Sequence, residues 1–100
     1  MYLFRVSKRL IHINVSKNKN ATAKNSAGKI LAYKINLSTT VIVKNITTGN
    51  QILNENFAFS SSYKVQDQYS ETKKIEDRSV QNLIDKTYQD LLIKLSENIL

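Results

Sequence analysis

Residues 31–43 read LAYKINLSTTVIV, and the fold turns on their alternation. Leu31, Tyr33, Ile35, Leu37, Val41 and Val43 take odd positions, broken only by Thr39, while Lys34, Asn36, Ser38 and Thr40 take even ones. A period of two sends successive side chains to opposite faces of a strand, so one face is apolar and the other polar. Extended over 29–45, the strand is on the order of 50 Å long at about 3.3 Å per residue, far above the usual five or six residues. At that length it is expected to be bent, bulged or paired over only part of its course.

The run that follows, 51–65, carries Leu53, Phe57, Phe59, Tyr63 and Val65 at odd positions as well. Between the two runs, NITTGNQ (45–51) has the chemistry of a three-residue hairpin loop, with Thr47 and Thr48 right-handed and Gly49 at positive φ. Ile46 opposite Asn50 then sets Val43 against Leu53, Leu37 against Phe59 and Tyr33 against Tyr63. Both strands show one apolar face in that register, with Glu55 opposite Val41 as the misfit.

Upstream, 10–16 alternates through Ile11, Ile13 and Val15 and reads as a short strand. The polar run KNKNATAKNSAG, 17–28, reads as a connecting loop. Residues 1–9 are left without an assigned element.

From Ser70 the period changes. Val80, Leu83, Ile84, Thr87, Tyr88, Leu91, Leu92, Leu95 and Ile99 make the stripe of an amphipathic helix over 70–99. Ser70 or Asp67 is expected to cap it, and Glu71, Glu76 and Asp77 sit near the positive end of its dipole. No proline or glycine interrupts the chain between Gln51 and Leu100. A helix of about 28 residues is roughly 42 Å long, a match for the hairpin. The expected fold is α+β: one domain, 1–100, a two-layer sandwich with an antiparallel meander of about three strands packed against one long C-terminal helix.

The net charge of +7 is unevenly placed. Residues 1–66 hold ten Lys/Arg against one acid, Glu55, while 67–100 hold five against seven. A basic sheet attracts phosphate-bearing partners: nucleic acid, anionic lipid or a phosphorylated glycolipid. Cysteine is absent, which removes disulfides, thiolate metal sites and lipid attachment to this chain. Arg5, Lys8 and Arg9 break up the opening apolar residues, so no secretory signal is read there, and no window holds the ~18 apolar residues needed to span a bilayer.

The inventory for catalysis is poor. His12 is the only histidine and stands mid-strand, and Gly28 and Gly49 are too far apart for a phosphate loop. No enzymatic activity, cofactor or metal is expected. Basic groups from two segments are expected to converge instead, because the 17–28 loop and the helix start, with Lys73 and Lys74, belong to the same end of the sandwich. Such a cluster suits a phosphate-bearing ligand. A nucleic-acid-binding sheet is the alternative, with Tyr33, Phe57, Phe59 and Tyr63 as stacking groups. Those aromatics share the face assigned to the core, and no RNA-recognition signature accompanies them, so nucleic acid is the less favoured partner.

The segments AGKILAYKINLSTTVIVKN, TTGNQILNENFAFSSSYKV and ETKKIEDRSVQNLIDKTYQDLLIKL (27–45, 47–65 and 71–95) together resemble the LPS-assembly lipoprotein family, LptE. That family supplies the small subunit of the lipopolysaccharide translocon in Gram-negative outer membranes. The resemblance implies a four-stranded sheet with two helices, lodged as a plug inside the β-barrel LPS-assembly protein and touching lipopolysaccharide. It implies a location at the periplasmic face of the outer membrane. Carried over by position, the ligand-binding lysines are Lys24 and Lys29 before the long strand, and Lys73 or Lys74 at the start of the last helix. The even face of the long strand, Lys34, Asn36, Ser38 and Thr40, becomes the candidate surface for docking to the barrel wall. Set against that family, the signal peptide, lipidated cysteine, first strand and first helix are expected to be missing from this sequence.

Overall fold

In the computed structural model, which describes residues 2–6 and 8–99, the chain is α+β. Four strands, β1 (Tyr2–Val6), β2 (Arg9–Lys24), β3 (Ile30–Asn45) and β4 (Gln51–Lys64), precede one helix, α1 (Tyr69–Ile99). The strands form an antiparallel meander in the order β1-β2-β3-β4, and α1 lies along one face. The extents are 59 × 19 × 19 Å, with a radius of gyration of 17.8 Å against the ~13 Å of a compact chain of this length. The molecule is a rod because its strands are long.

The β3/β4 register is the one the turn chemistry predicts: Val43 faces Leu53, Leu37 faces Phe59 and Tyr33 faces Tyr63. Only the pairs next to the turn differ, with Lys44 facing Gln51. Asn45, not Ile46, faces Asn50 and donates to its carbonyl at 2.9 Å, and a bulge between Val43 and Lys44 restores the register beyond. Ile46 is drawn away because its N–H donates at 2.8 Å to the Lys8 carbonyl, extending the β2/β3 ladder. Gly49 has the expected positive φ, 75°.

Two strand expectations are corrected. The loop assigned to 17–28 is mostly strand, since β2 runs on to Lys24 and pairs with β3 as far as Lys24↔Ile30. The turn proper is Asn25–Lys29: Gly28 sits at φ 83° and donates to the Asn25 carbonyl at 3.0 Å, while the Asn25 side chain accepts from Ala27 and Lys29. A glycine-bulge turn placed that late forces both arms to pair, and ladder hydrogen bonds outweigh the poor strand propensity of Lys and Asn. Residues 2–6, within the unassigned 1–9, form an edge strand in which Leu3 faces His12 and Arg5 faces Leu10. A sheet edge tolerates the charges that hide its alternation. The irregularity expected of so long a strand is present as register shifts at the two ends of β3, which is otherwise paired on both sides because it is a central strand.

The core has two clusters along the rod. One joins Ile35, Leu37, Tyr63 and Leu83; the other joins Val41, Val43, Leu53 and Phe57, with Leu91 and Leu95 against it. The backbone of α1 runs over β3 and β4 and not over β2. A helix about 10 Å across cannot cover a sheet whose strands lie about 4.8 Å apart, so only part of the stripe is buried. Leu83 is 1% exposed, whereas Ile84, Tyr88 and Leu92 stand 46%, 60% and 45% exposed on the flank. The side chain of Ile99, last in the expected stripe, lies outside the described residues. Neither Asp67 nor Ser70 caps the helix. The Thr72 hydroxyl ties its start to the preceding chain, accepting from the Gln66 N–H at 2.8 Å.

Candidate functional site

Parity along β2 puts Ile11, Ile13, Val15, Lys17 and Lys19 on the face that carries α1. The apolar part of that row packs near the C-terminal half of the helix, and the basic part reaches its first turns. There the Lys19 Nζ meets the Glu76 carboxylate at 3.1 Å and lies 4.3 Å from the centre of the Tyr33 ring, a cation–π contact. Glu76 also faces Lys73 at 3.8 Å, and Lys73 pairs with Asp77 at 3.1 Å. One carboxylate is therefore shared between an ammonium from the sheet and one from the helix.

Around this contact is a half-open cleft of about 310 Å³. Lys19, Lys29 and Lys73 supply three positive charges to its lining, and Asp67 and Glu76 supply two negative ones. Its apolar wall includes Ile30, Tyr33 and Val65. The hydrogen bond to Glu76 raises the Lys19 pKa above its ordinary 10.5, so the ammonium is fully charged at neutral pH. The Lys73 pKa is raised chiefly by its hydrogen bond to Asp77. Burial raises the Tyr63 phenol above 10.0, and its hydroxyl, beside Lys19, has no partner in hydrogen-bonding geometry among the described residues.

Of the four lysines singled out in the sequence, the structure brings two together. Lys29 and Lys73 line the cleft; Lys24 ends β2 on the exposed rim, and Lys74 turns to Glu71 at 3.7 Å. Adjacent helix positions point about 100° apart, which separates Lys73 from Lys74. Lys19 and Glu76 were not among the expected residues, yet both carried a signal. Lys19 shares the parity of Ile11, Ile13 and Val15, and Glu76 lies four residues after buried Thr72 and seven before buried Leu83.

The opposite face of the sheet is polar over three strands. Lys34 and Ser38 are exposed there, and Asn36 and Thr40 are half-buried by their cross-strand neighbours. The Asn18 side-chain oxygen accepts from Asn20 at 3.0 Å and from Asn36 at 3.1 Å, and the Thr40 hydroxyl donates to Asn56 at 3.5 Å. These bonds tie the amides to one another across the strands, on a surface whose charges include Lys34 and Lys64.

The aromatics weighed as stacking groups are packed beneath the helix: Phe57 and Tyr63 are 6% and 5% exposed, and the Tyr33 ring lies 5.8 Å from that of Tyr63. His12 stands in β2 with its Nε2 buried and unbonded among the described residues. No described helix is long and apolar enough to cross a membrane. No protein-family model matches the chain, and comparison with curated proteins finds no significant relative.

Proposed function

We propose that this protein is a non-enzymatic outer-membrane assembly factor that binds the phosphates of lipopolysaccharide and docks against a β-barrel partner. One observation carries the reading: ammonium groups from the β2/β3 hairpin and from the start of α1, Lys19, Lys29 and Lys73, surround a single cleft walled by apolar and aromatic side chains. Ammonium groups recognise phosphate, and an apolar wall suits the acyl-chain end of a glycolipid better than it suits free phosphate. The flat Asn/Ser/Thr face, Lys34, Asn36, Ser38 and Thr40 at its centre, is the docking surface in this scheme. The Asn36 and Thr40 side chains are already held by hydrogen bonds to neighbouring strands, so they lose little entropy when a second surface covers them. The site of action is the periplasmic face of the outer membrane.

Lipopolysaccharide binding to immobilised protein tests the reading. The triple change of Lys19, Lys29 and Lys73 to Ala is expected to weaken binding at least about tenfold, with single-stranded RNA and dephosphorylated lipopolysaccharide as comparison ligands. The double change of Lys24 and Lys74 to Ala, both outside the cleft, is expected to have under about a threefold effect. Equal losses from the two sets, or tighter binding to RNA than to lipopolysaccharide at physiological salt, would overturn the proposal.

A further inference from the structure

Among the described residues β1 pairs with β2 from Arg9 to Ile13, whereas β2 continues to Lys24. From Asn14 to Lys24 the strand therefore has β3 on one side and no described strand on the other, and every one of these residues is exposed. Unpaired backbone N–H and C=O groups along such an edge are a template for another strand. Beside this edge, on the helix-bearing face, lies an apolar groove of about 190 Å³. Leu37 and Thr39 form its floor, Ile13 and Val15 one wall, and Ile84 and Tyr88 part of the other. The groove exists because α1 lies over β3 and β4 and leaves Val15 of β2 uncovered, 46% exposed.

We propose that the Asn14–Lys24 edge of β2 binds an extended segment of a partner protein by strand addition, and that this segment is acidic and alternating. An added strand places every second side chain on the groove side of the sheet. Those beside Val15 and the groove must be apolar. Beyond Val15, the row on the same face is Lys17 and Lys19, and Lys17 has no ion-pair partner among the described residues. A carboxylate opposite Lys17 supplies one. On the other face the row is Asn14, Ser16, Asn18 and Asn20, which calls for small polar side chains.

Charge argues against a second copy as the occupant. Residues 14–24 carry Lys17, Lys19 and Lys24 and no acid, so two β2 edges meet with like charges. Glu55 is the one acid on the chain's four strands, and it projects from β4 against Val41. The edge therefore favours a negatively charged strand over a second β2 edge.

The probe is a fluorescent peptide of about ten residues. Threonine takes alternate positions; the others are valine in one half and glutamate in the other, with the half order reversed in a second peptide. A scrambled peptide of the same composition is the control. One ordered peptide is expected to bind, to slow amide hydrogen exchange within 14–24, and to lose at least about fivefold in affinity with Val15→Asp or Lys17→Glu. Lys17→Glu is expected to gain binding to a lysine-for-glutamate version of the peptide. Both positions are exposed, so the circular dichroism spectrum is expected to stay that of the wild type. Equal binding of the scrambled peptide, affinity unaffected by both substitutions, or unchanged exchange within 14–24 would each overturn the proposal. So would concentration-dependent self-association through this edge, seen in sedimentation and abolished by Val15→Asp.

Discussion

Leu83 and Ile84 are neighbours on one helix and both belong to the apolar stripe, yet the fold treats them oppositely. Leu83 is 1% exposed and packs against Ile35, Leu37 and Tyr63, while Ile84 is 46% exposed at the groove. Leu83→Ala removes three carbons at about 0.8 kcal/mol each and leaves a cavity between two layers, for a loss of about 3–4 kcal/mol. With nearly half of its side chain already in water, Ile84→Ala is expected to lose about 1 kcal/mol. A chain of this size has a total stability of roughly 5–10 kcal/mol, so Leu83→Ala removes a large share and lowers Tm by on the order of 15 °C. Urea unfolding followed by helix ellipticity measures both variants on one scale, and an unchanged m-value certifies the comparison. Similar losses for the two would refute the helix rotation described here, and with it the open groove beside β2.

Gly49→Val is expected to cost about 1–2 kcal/mol and Gly49→Asn less than about 1 kcal/mol by the same urea assay, because the φ of 75° disfavours branched side chains while a Cβ there meets nothing within 4 Å. Equal costs would place the effect in packing instead. The Lys19 pKa is raised in the folded protein, so its ion pair with Glu76 contributes stability that is fully present below about pH 10.5 and lost as pH rises through the higher folded value. The Tm difference between wild type and Lys19→Met is expected to be constant from neutral pH to about pH 10 and to shrink above it. The contribution of the ion pair stays below about 1 kcal/mol, since the Lys19 side chain is 39% exposed. A difference that grows with pH would reverse the sign of the linkage.

What was legible in the sequence was everything governed by local period and turn chemistry. Tyr33, Leu37 and Val43 meet Tyr63, Phe59 and Leu53 because a two-residue period brings both apolar faces together in that register, and a bulge between Val43 and Lys44 absorbs the offset of the closing pair. The helix followed from an uninterrupted stretch of period near 3.6. Where polar composition masked the pattern, reading failed: KNKNATAK looks like a loop, and only pairing with β3 makes it a strand. That energy is non-local, carried by backbone bonds to residues that any side chain can accompany.

By itself, then, the sequence determined two layers, the antiparallel pairing of β3 with β4, and a basic sheet joined to a mixed-charge helix. Tertiary structure alone decided where the helix lies across the sheet. That placement buries Leu83 and bares Tyr88, sets Lys19 of β2 against Glu76 of α1, and parts Lys73 from Lys74. Periodicity defines which stripe of a helix is apolar. It is silent on which strands that stripe covers, because the helix is narrower than the sheet and its lateral position depends on side-chain volumes contributed by several strands at once.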